Sequence, residues 1–304
     1  STNMLTGETS ATTVSLYVLV DEDSDRSGEE ICNDIEAKCK DLDCTVDMIS
    51  ASSISSYTSA LGGTGVGIEI YSNSRWVPSD SRNTTWKAAN LLINKFGINY
   101  GVRINIDKRI PVAAGLGGGS ADAAAVLKGI NSLFDLGISY EELAAIGKEI
   151  GADVPFCVRG GTMLAEGIGE RLTPLKPMKN VNIVIVKPNI AVSTAWVYKN
   201  LDLEKIEEHP DTELLVNAVN LSQHGIIAKN MKNVLEYVTI SKYQVIDTIK
   251  KKLVSLGALG SMMSGSGPSV FAIFEDAASA KNAFDKIKNG KWNCFIATTT
   301  DEER

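Results

Sequence analysis

Apolar and polar residues alternate along much of this chain, and the period of the alternation changes from one segment to the next. A period of two, which is typical of a strand with one buried face, is clearest at residues 102–107. Shorter apolar or alternating runs of the same kind predict further strands at residues 14–20, 45–49, 68–71, 181–187, 269–274 and 292–298. Another apolar run, after a helix stop at 151–155, predicts a buried strand, and glycine pairs at 160–161 and 167–169 predict a hairpin.

Capping residues and a period near 3.6 predict the helices. Asn83 is a suitable N-cap for one helix, and Gly97 is a suitable end for it. Ser139 and Glu142 have the spacing of a capping box that opens a helix reaching residue 150. Further helices are predicted at 28–43, 123–130, 212–221, 244–256 and 277–287, and another, capped at 192–194, carries Trp196 and Tyr198.

The order of these elements predicts an α+β fold with two domains. In the last third of the chain, strand, helix, strand, strand, helix and strand follow one another, which is the ferredoxin-like pattern. A length of 304 residues is enough for two domains. We therefore predict an N-terminal domain at 1–170 and a C-terminal, ferredoxin-like domain at 171–304.

A glycine-rich segment joins the strand at 102–107 to the alanine-rich helix, and this arrangement is suited to binding a phosphate. Glycines allow close backbone approach, and the first amides of a helix have no intrahelical acceptor and lie at the positive end of its dipole. Ser120 stands where its hydroxyl can reach a phosphate or a bound Mg²⁺. A mobile connector is the plain alternative. The segment runs as follows: Pro111, Val112, Ala113, Ala114, Gly115, Leu116, Gly117, Gly118, Gly119, Ser120, Ala121 and Asp122.

Two familiar phosphate-binding motifs do not fit this segment. It lacks the Gly-Lys-Ser/Thr ending of a Walker loop. Its glycines do not have the dinucleotide-binding spacing, and no acidic residue ends a second strand to bind a ribose. A second glycine- and serine-rich segment at 257–268 predicts a loop between strands. Two such loops on different halves of the chain predict a cleft between the domains, where a small ligand is well buried.

Composition narrows the classes of partner. The formal net charge is -7, which argues against nucleic acid or an anionic membrane as the main partner. No apolar run is long enough to cross a bilayer, and residues 1–7 lack a signal-peptide pattern, so we expect a cytoplasmic protein. Five scattered cysteines without a Cys-x-x-Cys pair suggest reduced thiols rather than a metal site. The acidic run at 21–25 predicts a solvated turn, with a cation site as the alternative.

Asp153 is the candidate acid/base residue. A kinase holds the nucleotide phosphates, neutralises their charge with Mg²⁺ and benefits from a carboxylate beside the acceptor hydroxyl. Asp153 follows a helix stop and precedes an apolar segment. From these surroundings alone, a catalytic carboxylate and a structural helix cap are equally good interpretations.

Several of these motifs resemble one family. Residues 108–122 resemble the second motif of the GHMP kinases, and residues 257–271 resemble the third. Within that superfamily, residues 151–157, 160–162 and 165–170 look like the family of 4-diphosphocytidyl-2-C-methyl-D-erythritol kinases. That family phosphorylates a hydroxyl of a cytidine-diphosphate-linked methylerythritol in the non-mevalonate isoprenoid pathway. The resemblance covers about residues 67–304 and implies the two-domain GHMP kinase fold, with a nucleotide-binding N-terminal domain.

The resemblance also implies roles for individual residues. Asp153 would be the catalytic acid/base, and residues 111–121 would bind the ATP phosphates, with Mg²⁺ near Ser120. Asn83 and Lys108 fall where the family contacts adenosine. Tyr198, beside Thr194, falls where the family stacks an aromatic ring on cytosine; ordinary helix packing is the alternative for this tyrosine. The partner implied is the small cytidine-containing substrate, and we expect a monomer or a weak homodimer.

The beginning of the chain departs from the family pattern. The family has a lysine and an asparagine in its first strand, where Thr13 and Ser15 align, and its Tyr-His pair is missing. Losing one charge-stabilising group commonly lowers a rate by about 10²–10³. Three interpretations follow: a working kinase, a nucleotide-binding relative with impaired or altered activity, or a scaffold whose front has been rearranged. A non-enzymatic interaction protein is a remote fourth.

Overall fold

The computed structural model describes residues 13–19, 67–206, 208–288 and 290–300, and for residues 13–19 and 203 it describes the backbone alone. Several predicted features therefore lie outside the described residues. They are the acidic turn at 21–25, the helix at 28–43, the strand at 45–49 and the cysteines at 32, 39 and 44.

The first sheet has three strands in the order β1-β3-β2. β1 (Thr13–Leu19) runs antiparallel to β3 (Gly101–Asp107), and β2 (Ile68–Ser72) runs parallel to it. Thr13 lies opposite Asp107, so the start of β1 is at the edge where β3 ends. The alternating pattern of β3 places Ile104 in the core, which confirms the strand predicted there.

Two long helices pack on each other and complete this core. α1 (Thr84–Phe96) has Asn83 as its N-cap and Gly97, at φ 62°, as its C-cap, as predicted from the sequence. α2 (Gly118–Leu133) begins directly after the glycine-rich segment. Leu92 of α1 and Leu127 of α2 are fully buried in the shared core.

A pair of shorter helices follows. α3 (Tyr140–Gly147) opens with the predicted Ser139–Glu142 capping box, and α4 (Val154–Arg159) packs against both α2 and α3. The strand predicted after residue 153 is therefore wrong, because this segment is a helix. A short apolar run does not distinguish a buried strand from a buried helix. Pro155 lies in the first turn of α4, where its missing N–H costs no helical hydrogen bond.

A hairpin links the two halves of the chain. β4 (Met163–Glu166) pairs with β5 (Arg171–Pro174), and Gly167 and Gly169 adopt positive φ in the turn between them, as the glycine spacing predicts. The predicted domain boundary after residue 170 falls inside this hairpin, and the domain limits stay a prediction.

The second sheet has the ferredoxin-like order β7-β8-β6-β9, with every neighbouring pair antiparallel. This confirms the fold predicted for the C-terminal part. Residues 257–268 were expected to form a loop, but β7 occupies part of that segment and pairs with β8. The sequence did not predict this strand, because the glycines and serines around it are typical of a loop. The strands are β6 (Asn182–Lys187), β7 (Gly260–Met263), β8 (Val270–Phe274) and β9 (Asn293–Thr298).

Helices cover both faces of the second sheet. Ile249 and Ala283, from α9 and α10, are buried in one core cluster, and Ala218 and Ile227, from α6 and α7, are buried in another. The sequence did not predict α7 or α8, which are only seven residues long. No described helix is long and apolar enough to span a membrane. The helices are α5 (Thr194–Lys199), α6 (Thr212–Asn220), α7 (His224–Asn230), α8 (Glu236–Lys242), α9 (Val245–Ser255) and α10 (Ala277–Ile287), with a 3-10 turn at Leu203–Lys205.

Replacing Gly260 by alanine tests the packing of β7 against α7. A Cβ atom there would lie 1.9 Å from the carbonyl oxygen of Ala228, which is backbone and has little freedom to move. We expect a loss of about 1–3 kcal/mol of unfolding free energy, measured by urea denaturation. Gly225→Ala in α7 is the matched control. It meets no atom within 4 Å, so it should leave stability unchanged or raise it by ~0.5–1 kcal/mol. Equal effects of the two changes would contradict this packing.

Candidate active site

The start of α2 presents an anion-binding surface. Gly117, at φ 65°, is the N-cap, and the first helical hydrogen bond runs from the amide of Ala121 to the carbonyl of Gly117 at 2.9 Å. The amides of residues 118–120 therefore have no acceptor within the helix. They lie at the positive end of the helix dipole, beside an exposed residue in a strained backbone conformation, Ala113, at φ 51°. Residues 111–117 are called the first glycine loop below.

A turn from the C-terminal half supports the first glycine loop from behind. This turn, residues 264–269, follows β7. The hydroxyl of Ser264 donates to the carbonyl of Gly115 at 2.7 Å, and the amide of Ser269 donates to that of Ala114 at 3.3 Å. A Cβ on Gly115 would lie 2.4 Å from the Ser264 carbonyl oxygen, so only glycine permits this approach. The structure thus brings together the two glycine-rich segments that the sequence placed on different halves.

A buried ion pair joins Lys108, before the first glycine loop, to Asp122, after it. Nζ of Lys108 lies 2.5 Å from Oδ2 of Asp122, and the two side chains are 5% and 6% exposed. Burial raises the pKa of Asp122, while the hydrogen bond and charge of Lys108 act in the opposite direction. Within the described chain, Oδ1 of Asp122 has no hydrogen-bond partner. Lys108, predicted to contact adenosine, thus has its ammonium group in an internal pair.

Asp122 is a site residue to which the sequence reasoning gave no role. The available signal was an acidic residue within the alanine run that forms the buried side of α2. The absence of a side chain at Gly118 leaves space for Lys108, the partner of Asp122, because an added Cβ would lie 3.0 Å from Nζ of Lys108.

Asn83 and Thr84 place the start of α1 beside the start of α2. The side-chain oxygen of Asn83 accepts from the amide and the hydroxyl of Thr85, both at 2.9 Å, and its amide group donates to the Pro78 carbonyl. Thr84 Oγ1 donates to the carbonyl of Gly119 at 2.8 Å. The predicted adenosine-contacting residue Asn83 is therefore next to the site, but its buried side chain is occupied by the helix cap.

Asp153 lies at the start of α4, the helix that packs against α2 and α3. Its carboxylate is exposed and accepts no capping hydrogen bond from the helix. Burial, followed by charge repulsion from Asp153, raises the pKa of the Cys157 thiol to about 11, and Asp122 adds to this repulsion. Asp153 therefore presents an exposed carboxylate at the start of a helix whose other side, through Val154 and Val158, lies in the first core.

The β4–β5 turn closes over the backbone at Asp153. A Cβ on Gly169 would lie 3.6 Å from the carbonyl oxygen of Ala152 and 4.0 Å from Oδ1 of Asp153. Glu170 holds the turn, because its Oε2 accepts from the amide of Ile168 at 2.8 Å and its Oε1 pairs with Lys148 at 3.1 Å. Hydrogen bonds from its own amide, from Lys148 and from Ile168 lower the pKa of Glu170 to about 2.

Thr194 and Tyr198 lie on α5, across the 264–269 turn. The hydroxyls of Thr194 and Ser266 are 2.8 Å apart, which connects α5 to the turn behind the first glycine loop. Tyr198 is 60% exposed, so helix packing does not account for it. Trp196 on the same helix does pack, with its ring against Tyr243 at 6.3 Å between centroids.

The described residues contain no cluster of three or more His, Cys, Asp or Glu side chains able to hold a metal ion. Mg²⁺ commonly binds through substrate phosphates and one or two protein groups. Ser120, half-buried in the first turn of α2, is the predicted protein ligand, and this assignment stays a prediction.

Alanine substitutions at two glycines of the first glycine loop distinguish the cost of backbone strain from the cost of a steric clash with the 264–269 turn. Gly115 and Gly117 both have positive φ, so alanine is strained at either position, by ~1–2 kcal/mol. Only Gly115 would also place a Cβ against the 264–269 turn. We expect Gly115→Ala to lower the unfolding free energy by a further ~1–3 kcal/mol relative to Gly117→Ala, in matched urea titrations. Indistinguishable losses would show that the two segments do not press together at Gly115.

Glu170 gives the hairpin a defined pH dependence. Its pKa in the fold is below its ordinary value of 4.5, so its stabilising contribution is present above pH 4.5 and is lost as the pH falls towards about 2. We expect Glu170→Gln to lower the melting temperature near neutral pH, and the difference from wild type to shrink on acidification. Glu166→Gln, an exposed change in the same hairpin, is the control. A Glu170→Gln deficit that persisted unchanged at pH 2 would contradict this role.

Comparison with known proteins agrees with this geometry. Residues 83–161 match the model of the GHMP kinase N-terminal domain, and residues 203–293 match that of the GHMP kinase C-terminal domain. The first match contains the first glycine loop and Asp153, and the second contains the 264–269 turn.

Curated relatives and solved structures give the same assignment. The chain is 58% identical over 233 residues to a 4-diphosphocytidyl-2-C-methyl-D-erythritol kinase of Acetivibrio thermocellus, covering 77% of this chain and 82% of that protein. The corresponding protein of Clostridium botulinum strain Hall is 51% identical over 224 residues, covering 74% and 80%.

A crystal structure of 4-(cytidine 5'-diphospho)-2C-methyl-D-erythritol kinase superposes with a TM-score of 0.66 at 30% identity, over 78% of this chain and 84% of that one. A homoserine kinase from Cytophaga hutchinsonii shares the fold, with a TM-score of 0.65 at 23% identity and coverage of 78% and 83%. The chain therefore belongs to the 4-diphosphocytidyl-2-C-methyl-D-erythritol kinase family of the GHMP kinases.

Proposed function

We propose that this chain transfers the γ-phosphoryl group of ATP to a hydroxyl of 4-diphosphocytidyl-2-C-methyl-D-erythritol, in the non-mevalonate route to isoprenoid precursors. The relatives named above support this substrate. The single observation that carries the proposal is the position of Asp153, an exposed carboxylate without a capping hydrogen bond, at the start of the helix that packs against α2. The sequence around Asp153 suited a catalytic carboxylate and a helix cap equally well. Because the side chain makes no capping hydrogen bond, catalysis is the better interpretation.

The arrangement supplies the groups that phosphoryl transfer requires. The amides of residues 118–120 bind the nucleotide phosphates, and the helix dipole favours their negative charge. Mg²⁺, when bound with the nucleotide near Ser120, neutralises charge on the β- and γ-phosphates. Asp153 orients the acceptor hydroxyl and accepts its proton. The hydroxyl oxygen bonds to the γ-phosphorus, the bond from that phosphorus to the bridging oxygen breaks, and the electron pair leaves with ADP.

The cytidine end of the acceptor fits α5. Tyr198 presents an exposed ring, which suits stacking on a flat base. Thr194 lies one turn earlier in the helix, and its hydroxyl is already hydrogen-bonded to Ser266. We therefore assign Tyr198 to the cytosine and Thr194 to the wall that connects the acceptor side with the nucleotide side.

The register of β1 favours a second candidate, a nucleotide-binding relative with low kinase activity. Thr13 aligns with the lysine of the family pattern, and it lies opposite Asp107, next to the start of the first glycine loop. The family's cationic position is therefore at the correct edge of the sheet, but a threonine occupies it. A missing positive charge at a reacting centre lowers the rate more than it weakens binding.

A coupled assay with ATP, Mg²⁺ and the cytidine substrate tests the proposal. We expect phosphorylation by the wild-type chain and a loss of at least 10²-fold in Asp153→Asn, with nucleotide affinity retained. Glu149→Gln, an exposed change just before α4, should leave the rate unchanged. Nucleotide binding without turnover in the wild type would favour the second candidate.

Thr13→Lys tests whether the missing lysine at the start of β1 limits the rate of phosphoryl transfer. If a cation is missing from the reacting centre, the lysine should raise kcat about tenfold or more while the KM for ATP changes little. Thr13→Met, which adds length without charge, is the matched control. No gain from the lysine would mean that another residue already supplies the charge.

A further inference from the structure

Asn233, in the turn before α8, binds the last residue of β7 and the start of the 264–269 turn. Its Nδ2 donates to the carbonyl oxygen of Met263 at 2.9 Å and to that of Gly265 at 2.8 Å. Its Oδ1 accepts from the amide of Leu235 at 3.0 Å, which fixes the side-chain orientation. Both amide hydrogens of Asn233 are therefore used on the end of β7 and the beginning of the turn.

Two further side chains from the same region form hydrogen bonds with the end of β7 and with the 264–269 turn. Oε1 of Glu236 accepts from the amide of Met263 at 2.7 Å, and its Oε2 pairs with Lys250. Oγ1 of Thr239, which is fully buried, donates to the carbonyl of Ser266 at 3.3 Å. Residues 233–239 thus form a platform under the end of β7 and the 264–269 turn, and Asn233 binds one carbonyl of each.

The 264–269 turn connects Asn233 to the first glycine loop, because Ser264 contacts Gly115. Ser264 lies between the two carbonyls that Asn233 holds, and its hydroxyl donates to Gly115. A displacement of Ser264 must move Gly115, because the two backbones are already in contact. Gly115 in turn lies two residues before the N-cap of α2.

We propose that Asn233 is a positioning residue for nucleotide binding. By fixing Ser264, it sets the place of Gly115 and, through it, the amides at the start of α2. Displacements of about 1 Å in such a relay are enough to lower phosphoryl-transfer activity substantially. This inference rests on the proposed function only in that the first glycine loop binds a nucleotide.

The test compares Asn233→Asp with Asn230→Asp. Asn233→Asp keeps the acceptor for Leu235 but turns a carboxylate oxygen towards two carbonyls. The same change at Asn230 removes only a hydrogen bond to the carbonyl of Ile226 at 2.8 Å within α7, so it is the matched control. The dissociation constant of a non-hydrolysable ATP analogue with Mg²⁺ is measured well below the melting temperature. We expect about tenfold weaker binding in Asn233→Asp, the effect of two lost hydrogen bonds, and none in Asn230→Asp.

A KM comparison separates positioning from general destabilisation. We expect the KM for ATP to rise about tenfold in Asn233→Asp while the KM for the cytidine substrate stays within about twofold. If Asn233→Asp does not fold, Asn233→Ala, which removes the donors without adding charge, decides with the same measurements. Asn233→Gln should restore part of the affinity lost in Asn233→Ala.

The inference is overturned if folded Asn233 variants bind the analogue like wild type, even when they melt at a lower temperature. A wild-type chain that bound no nucleotide would overturn both this inference and the proposed function. A wild-type chain that bound nucleotide but did not phosphorylate the cytidine substrate would remove the acceptor assignment alone. The affinity comparison at Asn233 would still be decisive in that case.

Discussion

The site depends on one backbone contact, the approach of Gly115 to the 264–269 turn. It joins the two halves of the chain at the point where the first glycine loop bends towards α2. A hydrogen bond from Ser264 defines the distance, and the missing side chain at Gly115 permits it. Without this contact the first glycine loop would have a strand at one end and a helix at the other, with no support between them. The ferredoxin-like half therefore acts as the support of the nucleotide side.

The positive potential of this site comes mainly from backbone. Lys108 is the lysine immediately before the first glycine loop, and its ammonium group is buried against Asp122. The pair ties the loop ends together, but a paired lysine offers an incoming phosphate less charge than an unpaired one. Helix N-terminal amides carry only partial charges. In a chain with a net charge of -7, the proposed roles of a bound Mg²⁺ and of the residue at position 13 therefore gain weight.

The two carboxylates Asp122, on α2, and Asp153, at the start of α4, have different properties because their surroundings differ. Asp122 is buried, paired with a lysine and raised in pKa by desolvation. Asp153 is exposed and makes no capping hydrogen bond, although it stands at a helix N-cap. Only the second can meet a substrate hydroxyl. Burial, with a smaller contribution from the charges of Asp153 and Asp122, raises the pKa of the Cys157 thiol to about 11, which makes it a poor nucleophile.

The sequence by itself determined the features that rest on local chemistry. Asn83 and Gly97 bound α1, and Ser139 with Glu142 opens α3, because capping depends on residues within one helical turn. The first glycine loop and Asp153 were predicted as site elements from local patterns and family resemblance, and their roles stay proposals. The failures were local ambiguities: the apolar run after Asp153 folds as α4, and a glycine- and serine-rich segment contains β7.

Tertiary structure alone decided which distant groups meet. Gly115 and Ser264 are 149 positions apart, Asn233 and Met263 are 30 apart, and Lys108 and Asp122 are 14 apart. No periodicity encodes such pairs, because each depends on how packed helices and sheets place two backbones. Burial likewise separated Asp122 from Asp153 and Trp196 from Tyr198, since exposure is a property of the folded surface and not of residue type.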